Sequence, residues 1–321
     1  MTNLVTLTGM RMRLALRNKM FFFFSIVMPI GFFFLYSAVF AKSDPNTVAY
    51  LLGPVLALNV MGSFWGLSAA LVTFREQGIL RRFHVSPVTE VDMLVSSVLA
   101  NYVLTLPTVI VELLLARYLF HVPSLGNLFA VLLLVTIGVV SFGSLGLVIA
   151  SVTNTMQETQ VLNQLLWLPL IFLSGATIPF TSLSTFVQHI ALFLPATYLV
   201  HGLKNAIMLG DGVSKLLVVI VSLSVWFILT LFLSSQLFRW EPEAKISRKA
   251  KLYVAATAIP FFLLGAWESK NGHVIAEEKT TVQRLDAADR AKEQAEKAKA
   301  QQQQTKPSSE PPEIPAQNEK H

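Results

Sequence analysis

Long apolar runs separated by short polar stretches dominate the chain up to residue 240. The runs cover residues 20–40, 48–74, 91–120, 125–151, 161–178 and 215–238. Because an apolar helix of roughly 20 residues crosses about 30 Å of hydrocarbon, each run predicts a membrane span. We therefore expect an all-α membrane protein whose core, residues 20–240, contains six transmembrane helices.

The first 19 residues have a different pattern from the spans. Leu7, Met10 and Leu14 fall on one helical face, and several arginines interleave with them. This spacing predicts an amphipathic helix that lies along the membrane surface. The apolar run that follows is too long for a cleaved secretory signal, so we expect it to stay as an uncleaved anchor.

Residues 174–211 break into apolar pieces that are each too short to cross. Gly175, Pro179 and Pro195 interrupt this stretch. Backbone that enters a membrane without crossing is tolerated only where protein or water satisfies its polar groups. We expect a re-entrant hairpin in the outer leaflet between the fifth and sixth spans.

The region after residue 240 allows two arrangements. A basic linker leads into an apolar stretch, and 241–267 contains either a seventh span, which we favour, or a segment lying in the interface. Residues 268–321 form a charged tail rich in glutamine and proline, which we expect to be partly helical around 287–300 and disordered beyond. A crossing seventh span would place this tail outside.

Composition supports a bilayer environment rather than a soluble one. The chain of 321 residues is 53% hydrophobic and 14% charged, with a mean hydropathy of +0.57. Its net charge of +6 does not indicate nucleic-acid binding, because the cations cluster at the ends of spans, where they suit membrane lipids. The chain has no cysteine, which excludes disulfides and thiolate chemistry.

The positions of the lysines and arginines also predict the orientation. One side collects the basic groups Arg11, Arg13, Arg17 and Lys19, then Arg75, Arg81 and Arg82, then Arg239, Lys245, Arg248, Lys249 and Lys251. The opposite side has only Lys42, Arg117, Lys204 and Lys215. The positive-inside rule then places the N-terminus and the central basic segment in the cytoplasm.

Several uncharged groups inside the spans have two interpretations. The candidates for a substrate path are Asn59, Phe64, Trp65, Asn163, Gln164 and Trp167; the amides among them are equally suited to hydrogen bonds between helices. Gly62, Gly66 and Ala70 recur every four residues, which favours close helix packing within the chain or across a homodimer. Glu112 follows Asp92 by about 30 Å of helix, so we expect it near the far edge of the hydrocarbon.

Candidate catalytic chemistry is sparse. No phosphate-binding glycine-rich loop is present, and the histidines lack metal-ligand spacing, so we predict neither bound ATP nor a metal. Ser174, with His189 or His201 as base, would suit a membrane-embedded hydrolase or protease. Ser174 at a helix bend also suits helix packing. An ATPase-independent channel or scaffold is a further alternative.

Two motifs carry a resemblance to a known family. The first runs from Arg75 through Glu76, Gly78, Arg81 and Arg82 to Pro87. It resembles the coupling segment between the second and third spans of type-2 ATP-binding-cassette (ABC) exporter permeases. The second is formed by the sequences FLSG at 172–175, IPF at 178–180, LPATY at 194–198, which includes Pro195 and Tyr198, and GLK at 202–204. It resembles the fifth span and outer hairpin of that family.

The resemblance covers roughly residues 1–240 and implies a function and partners. It implies a homodimer or a pair with a sister permease, docked to two copies of an ABC ATPase subunit through residues 75–87. ATP and Mg would be bound by that partner, so this chain would not itself be an enzyme. Export of an amphipathic drug, lipid or lipid-linked glycan, from a bacterial inner membrane, is the expected activity. The segment after Glu241 extends beyond the usual end of the family.

Overall fold

The computed structural model describes residues 2–17, 19, 23–39, 44–80 and 89–238, with short stretches between 259 and 297. The described part contains helices and no strands. It divides into two units, Met1–Ile275 and Ala276–His321. Since several of its helices are apolar and long enough to span a bilayer, the predicted all-α membrane fold is confirmed.

Ten α-helices are described between Thr2 and Leu237. They are α1 (Thr2–Arg17), α2 (Met28–Val39, preceded by a π-helical turn at Phe23–Val27), α3 (Pro45–Met61), α4 (Ser63–Glu76), α5 (Glu90–Leu114, continued as a π-helix over Leu115–Leu119), α6 (Leu128–Val152), α7 (Met156–Leu173), α8 (Thr185–Ala191), α9 (Pro195–Met208) and α10 (Leu217–Leu237). Helices α3 and α4 meet at Gly62 and form one rod of 32 residues.

Four described helices are long and apolar enough to cross a membrane. They are the α3–α4 rod, α5 with its π-helical end, α6 and α10, and they coincide with the predicted second, third, fourth and sixth spans. The apolar helix Ser25–Val39 is shorter, and α7, at the predicted fifth span, carries polar side chains in its first half. The total of six spans therefore stays a prediction.

Local sequence signals set where the helices begin. Thr89 and Asp92 form a capping box, with the Asp92 amide donating to Thr89 Oγ1 and the Thr89 amide donating to Asp92 Oδ2, each at 3.1 Å. Asn127 accepts a hydrogen bond from the Ala130 amide at the start of α6. These bonds satisfy amides that the first turn of a helix leaves unpaired.

Helix α6 lies at the centre of the bundle and packs on α10, α4, α9 and α5. Its closest approach to α4 occurs at Gly146, where an added Cβ would lie 2.5 Å from Phe64 O. Gly53 similarly brings α3 against the backbone of Lys204 in α9, at 2.8 Å. These two contacts need glycine because any side chain would push the helices apart.

The small-residue stripe predicted from the sequence does not form either of these two close contacts. Gly62, Gly66 and Ala70 are half-buried, and the atoms nearest to a Cβ placed on Gly62 belong to Leu58 and Asn59 of the same rod. The tightest packing within the chain is therefore made by other glycines. A role of the stripe in dimerisation stays a prediction.

Helix α1 packs on α5, but with a different face from the predicted one. Leu7 and Arg11 are buried, whereas Met10 and Leu14 are 38% and 47% exposed. Leu7 and Arg11 are four residues apart and thus lie on one side of the helix. The apolar residues Met10 and Leu14 are left facing outward, where a membrane surface would cover them.

The predicted outer hairpin contains a sharply bent helix pair. Helices α8 and α9 meet at 96°, and Pro195 is the first residue of α9. Gly175 has a φ of +86°, Pro179 precedes a short 3-10 helix at Phe180–Ser182, and the Tyr198 hydroxyl donates to Leu192 O at 2.9 Å. All residues of α9 from Pro195 to Ile207 are buried.

The proposed seventh span, within 241–267, falls mostly outside the described residues. Of the described positions, Phe262 packs against Phe193 with ring centroids 5.6 Å apart. Glu268 belongs to the first unit, where its Oε1 accepts from the Val274 amide. In the second unit, the described positions Ala287, Arg290, Gln294 and Lys297 are helical.

Candidate functional site: the junction at the end of the second span

The last turn of α4 is the start of the predicted coupling segment. Arg75 is only 2% exposed, and its Nη1 donates to Thr153 O at 2.8 Å. Thr153 is the residue that ends α6, where carbonyls lack partners within the helix. The guanidinium of Arg75 thus lies inside the protein and not on its surface. It supplies a hydrogen-bond donor to a carbonyl at the end of α6, the predicted fourth span.

Glu76 makes a second contact to the same region. Its Oε1 accepts from the backbone amide of Met156, the first residue of α7, at 2.9 Å. Thr73, one turn earlier, donates from Oγ1 to Met156 Sδ at 3.5 Å. The end of the second span is therefore bonded to both sides of the connection between α6 and α7.

The connection between α6 and α7, residues 153–155, is hydrogen-bonded to the start of α7. Glu158 Oε2 accepts from the Asn154 amide at 2.7 Å, and Thr155 Oγ1 accepts from the Glu158 amide at 3.2 Å. The hydroxyls of Thr153 and Thr159 lie 2.8 Å apart. We call this connection the α6–α7 turn.

Arg11 approaches the same end of the bundle from α1. Its Nη2 donates to Met93 Sδ at 2.7 Å, and its guanidinium lies 5.3 Å from the centre of the Phe74 ring. Burial lowers the pKa of Arg11 to about 10. Sequence reasoning placed Arg11 among exposed interfacial cations and missed this contact; the signal was its position four residues after Leu7.

The other residues of the predicted coupling segment are only partly described. Gly78 has a φ of +67°, a conformation that glycine adopts without strain and that ends helices. Leu80 is fully buried. Arg81, Arg82 and Pro87 lie outside the described residues.

The predicted path residues differ in how far they are buried. Phe64 and Asn163 are buried, and Asn163 exchanges hydrogen bonds with Ser68 Oγ at 2.9 and 3.2 Å. Trp65 and Trp167 are half-buried, and the rings of Phe64 and Trp167 are 5.9 Å apart. Gln164 is exposed, so its side chain lies on the surface of α7 and not in the interior of the bundle.

Asn59 contacts a buried carboxyl that sequence reasoning placed near the membrane boundary. Its Nδ2 donates to Glu112 Oε2 at 3.2 Å, and Glu112 is 0% exposed. Asn59 lies near the middle of the 32-residue α3–α4 rod. Among the described residues, Glu112 Oε1 has no hydrogen-bond partner.

The alternative hydrolase residues make local hydrogen bonds. Ser174 is buried and its Oγ accepts from the Ala176 amide at 3.3 Å. His189 Nδ1 lies 2.6 Å from Thr185 O, and His201 Nε2 lies 3.1 Å from Asn205 Nδ2. These contacts stabilise bends and helix turns.

Comparison with known proteins gives relatives that are transport proteins by name. The chain is 28% identical over 175 residues to the inner membrane transport permease YhhJ of Escherichia coli, covering 53% of this chain and 47% of the relative. It is 29% identical over 170 residues to ABC transporter G family member 20 of Dictyostelium discoideum, covering 52% and 23% of the two chains.

A third relative is the linearmycin resistance permease protein LnrN of Bacillus subtilis, 27% identical over 160 residues, covering 50% of this chain and 41% of the relative. The match thus spans less than half the length of each of these curated relatives. The family model of the ABC-2 type transporter matches residues 2–208, which include α1, the rod, the α6–α7 turn and the bent helix pair. The chain therefore belongs to the ABC-2 type transporter family.

Proposed function

We propose that this chain is the permease subunit of an ABC exporter. It moves an amphipathic substrate, such as a drug, a lipid or a lipid-linked glycan, out of the cell. A separate ATPase subunit binds ATP and Mg and supplies the energy, and this chain performs no chemistry of its own. The family match over residues 2–208 is the observation that carries this proposal.

The ATPase docks at residues 75–87 in this proposal. Helix α4 ends at Glu76, and the positive φ at Gly78 turns the chain out of the helical path before the docking arginines. Arg81 and Arg82 are suited to carboxylate and carbonyl groups on that partner. Because the ATPase uses ATP in the cytoplasm, this segment and the N-terminus lie on the cytoplasmic side. The membrane is the inner membrane of a bacterial cell.

A second permease, either a copy of this chain or a sister protein, covers α7 and brings a second ATPase. Gln160 and Gln164 are exposed on α7, beside Val161 and Leu165, which are 70% and 65% exposed. Exposed amides inside a bilayer need polar partners, which lipid tails do not provide. A partner permease and a path between the two subunits supply such partners.

The docking proposal is tested by purification in mild detergent. Tagged wild-type protein is expected to retain an ATPase subunit, and the double variant Arg81→Glu, Arg82→Glu to lose at least ten-fold of it, because the charge reversal repels the acidic partner surface. The matched control is Arg13→Glu with Arg17→Glu, which reverses two exposed charges on α1 and is expected to retain the ATPase.

Equal recovery of the ATPase with the Arg81/Arg82 variant would contradict docking at this segment. If no ATPase is recovered while the permease itself is intact, the exporter proposal fails as a whole. The substrate class is tested separately with a lipophilic fluorescent cation and a fluorescent phospholipid, each measured for ATP-dependent uptake into inverted vesicles.

A further inference from the structure

We infer that Glu76 is a positioning residue that joins the coupling segment directly to the fifth span, so that the end of α4 and the α6–α7 turn move as one body. The inference rests on the proposed function, since it concerns how displacement at residues 75–87 reaches the rest of the permease. It assigns the transmission step to one hydrogen-bond acceptor on α4 and one backbone amide on α7.

The bond from Met156 to Glu76 is the first part of this connection. The amide of Met156, at the N-terminus of α7, has no acceptor within its own helix, and Glu76 Oε1 supplies one at 2.9 Å. A carboxylate also suits the positive end of a helix dipole. Because Glu76 is exposed, solvent screens its charge, and the directional hydrogen bond is what fixes the position of α7.

Arg75 makes the second part of the connection, from the neighbouring residue. Its guanidinium is almost fully buried and donates to the carbonyl of Thr153, the residue that caps the end of α6. Breaking this bond would leave a buried charged group with fewer partners, which is costly. Two successive residues of α4 therefore hold the two ends of one short turn.

Hydrogen bonds tie the turn to the helix that follows it. Asn154 is bonded to Glu158, and Thr153 to Thr159, so the turn is tied to the first turn of α7. A shift of the last turn of α4 therefore shifts the N-terminus of α7. Helix α7 carries Asn163 and Trp167, so a displacement of the coupling segment reaches residues of the proposed path without passing through α5.

Two substitutions at one position separate this role from a role in docking. Glu76→Gln removes the charge but keeps an oxygen that accepts from the Met156 amide. Glu76→Ala removes the acceptor. If Glu76 acted through its charge on an ATPase surface, both variants would be impaired equally; as a positioning residue, Glu76 is replaced by glutamine without loss.

The experiment measures the distance between the two joined elements by spin labelling. The chain has no cysteine, so Gln77→Cys and Gln157→Cys, both at exposed positions, introduce the only two labels. We expect strong spin–spin broadening, which reports a short and uniform distance between the two labels. This distance is expected to be the same without nucleotide and with ATP and vanadate, because the two elements move together. Glu76→Ala is expected to spread the distance distribution at least two-fold, and Glu76→Gln to match wild type.

Three results would overturn the inference. They are a wild-type distance that changes when ATP and vanadate are added, a Glu76→Ala distribution as narrow as wild type, or a Glu76→Gln distribution as wide as that of Glu76→Ala. The nucleotide-free spectra need no ATPase. Failure of the exporter proposal therefore shows as a missing ATPase, whereas failure of this inference shows in the spectra.

Discussion

The pairing of Glu112 with Asn59 shows how one residue inside the bundle is accommodated. Glu112 is fully buried with one oxygen bonded to Asn59. An ionised carboxyl in hydrocarbon costs several kcal/mol unless it is paired, while an amide of the same shape costs much less. The side-chain oxygen that accepts from Asn59 thus contributes a polar contact between α3 and α5.

We expect Glu112→Gln to leave thermal stability in detergent unchanged or slightly raised, since glutamine keeps the acceptor for Asn59. Glu112→Ala removes the acceptor and leaves a cavity, and is expected to cost about 2–4 kcal/mol. The measurement is the unfolding midpoint from intrinsic fluorescence. A loss of stability in Glu112→Gln as large as that in Glu112→Ala would show that the negative charge itself is required.

At the scale of elements, close approach of α4 to α6 depends on the absence of a side chain at Gly146. We expect Gly146→Ala to destabilise the protein by about 1–3 kcal/mol or more, because the new methyl group would meet the backbone of Phe64. The same thermal unfolding measurement checks it.

The matched control is Gly31→Ala, on an exposed side of α2 with no atom within 4 Å of an added Cβ. It is expected to be neutral or to stabilise by up to about 1 kcal/mol, because alanine favours helix over glycine. Similar destabilisation by both changes would mean that the contact between α4 and α6 is not the cause.

Local signals predicted the helix boundaries more successfully than the contacts between helices. Thr89 and Asp92 are three residues apart, and Pro195 starts α9 by its own geometry, so a short stretch of sequence contains the whole interaction. Gly146 packs on Phe64, and Arg75 bonds to Thr153, across separations of about 80 residues. No periodicity in a single helix reports such a partner, so neither the contact of Gly146 with α4 nor the burial of Arg75 was predicted.

At the scale of the whole molecule, the two exposed helix faces differ in chemistry. Leu217, Val221, Ile228 and Phe232 make the exposed side of α10 apolar, as lipid contact requires. Helix α7 instead exposes glutamines among its apolar residues. The sequence alone did not distinguish these faces, because both helices are apolar on average and exposure depends on what packs behind each one.

We expect Leu165→Cys on α7 to form a disulfide-linked dimer when membranes are oxidised with copper phenanthroline. The background has no cysteine, so non-reducing electrophoresis reads the crosslink directly. Ile228→Cys, 62% exposed on α10, is the matched control and is expected to stay monomeric. A crosslinked dimer from the Ile228→Cys control alone would place the partner at α10 instead of α7. In a heterodimer with a sister permease, Leu165→Cys would crosslink only when the sister permease also carries a cysteine.

Helix α9 is enclosed on every side by helices that come both before and after it in the chain. It packs on α3, α6 and α10, and Gly202 leaves room for Val219 at the start of α10. During synthesis, α9 leaves the ribosome before the helix that completes its surroundings. It must therefore wait at the insertion machinery, or in the lipid beside it, until α10 is released, so α9 reaches its enclosed position only when α10 packs over a helix already delivered.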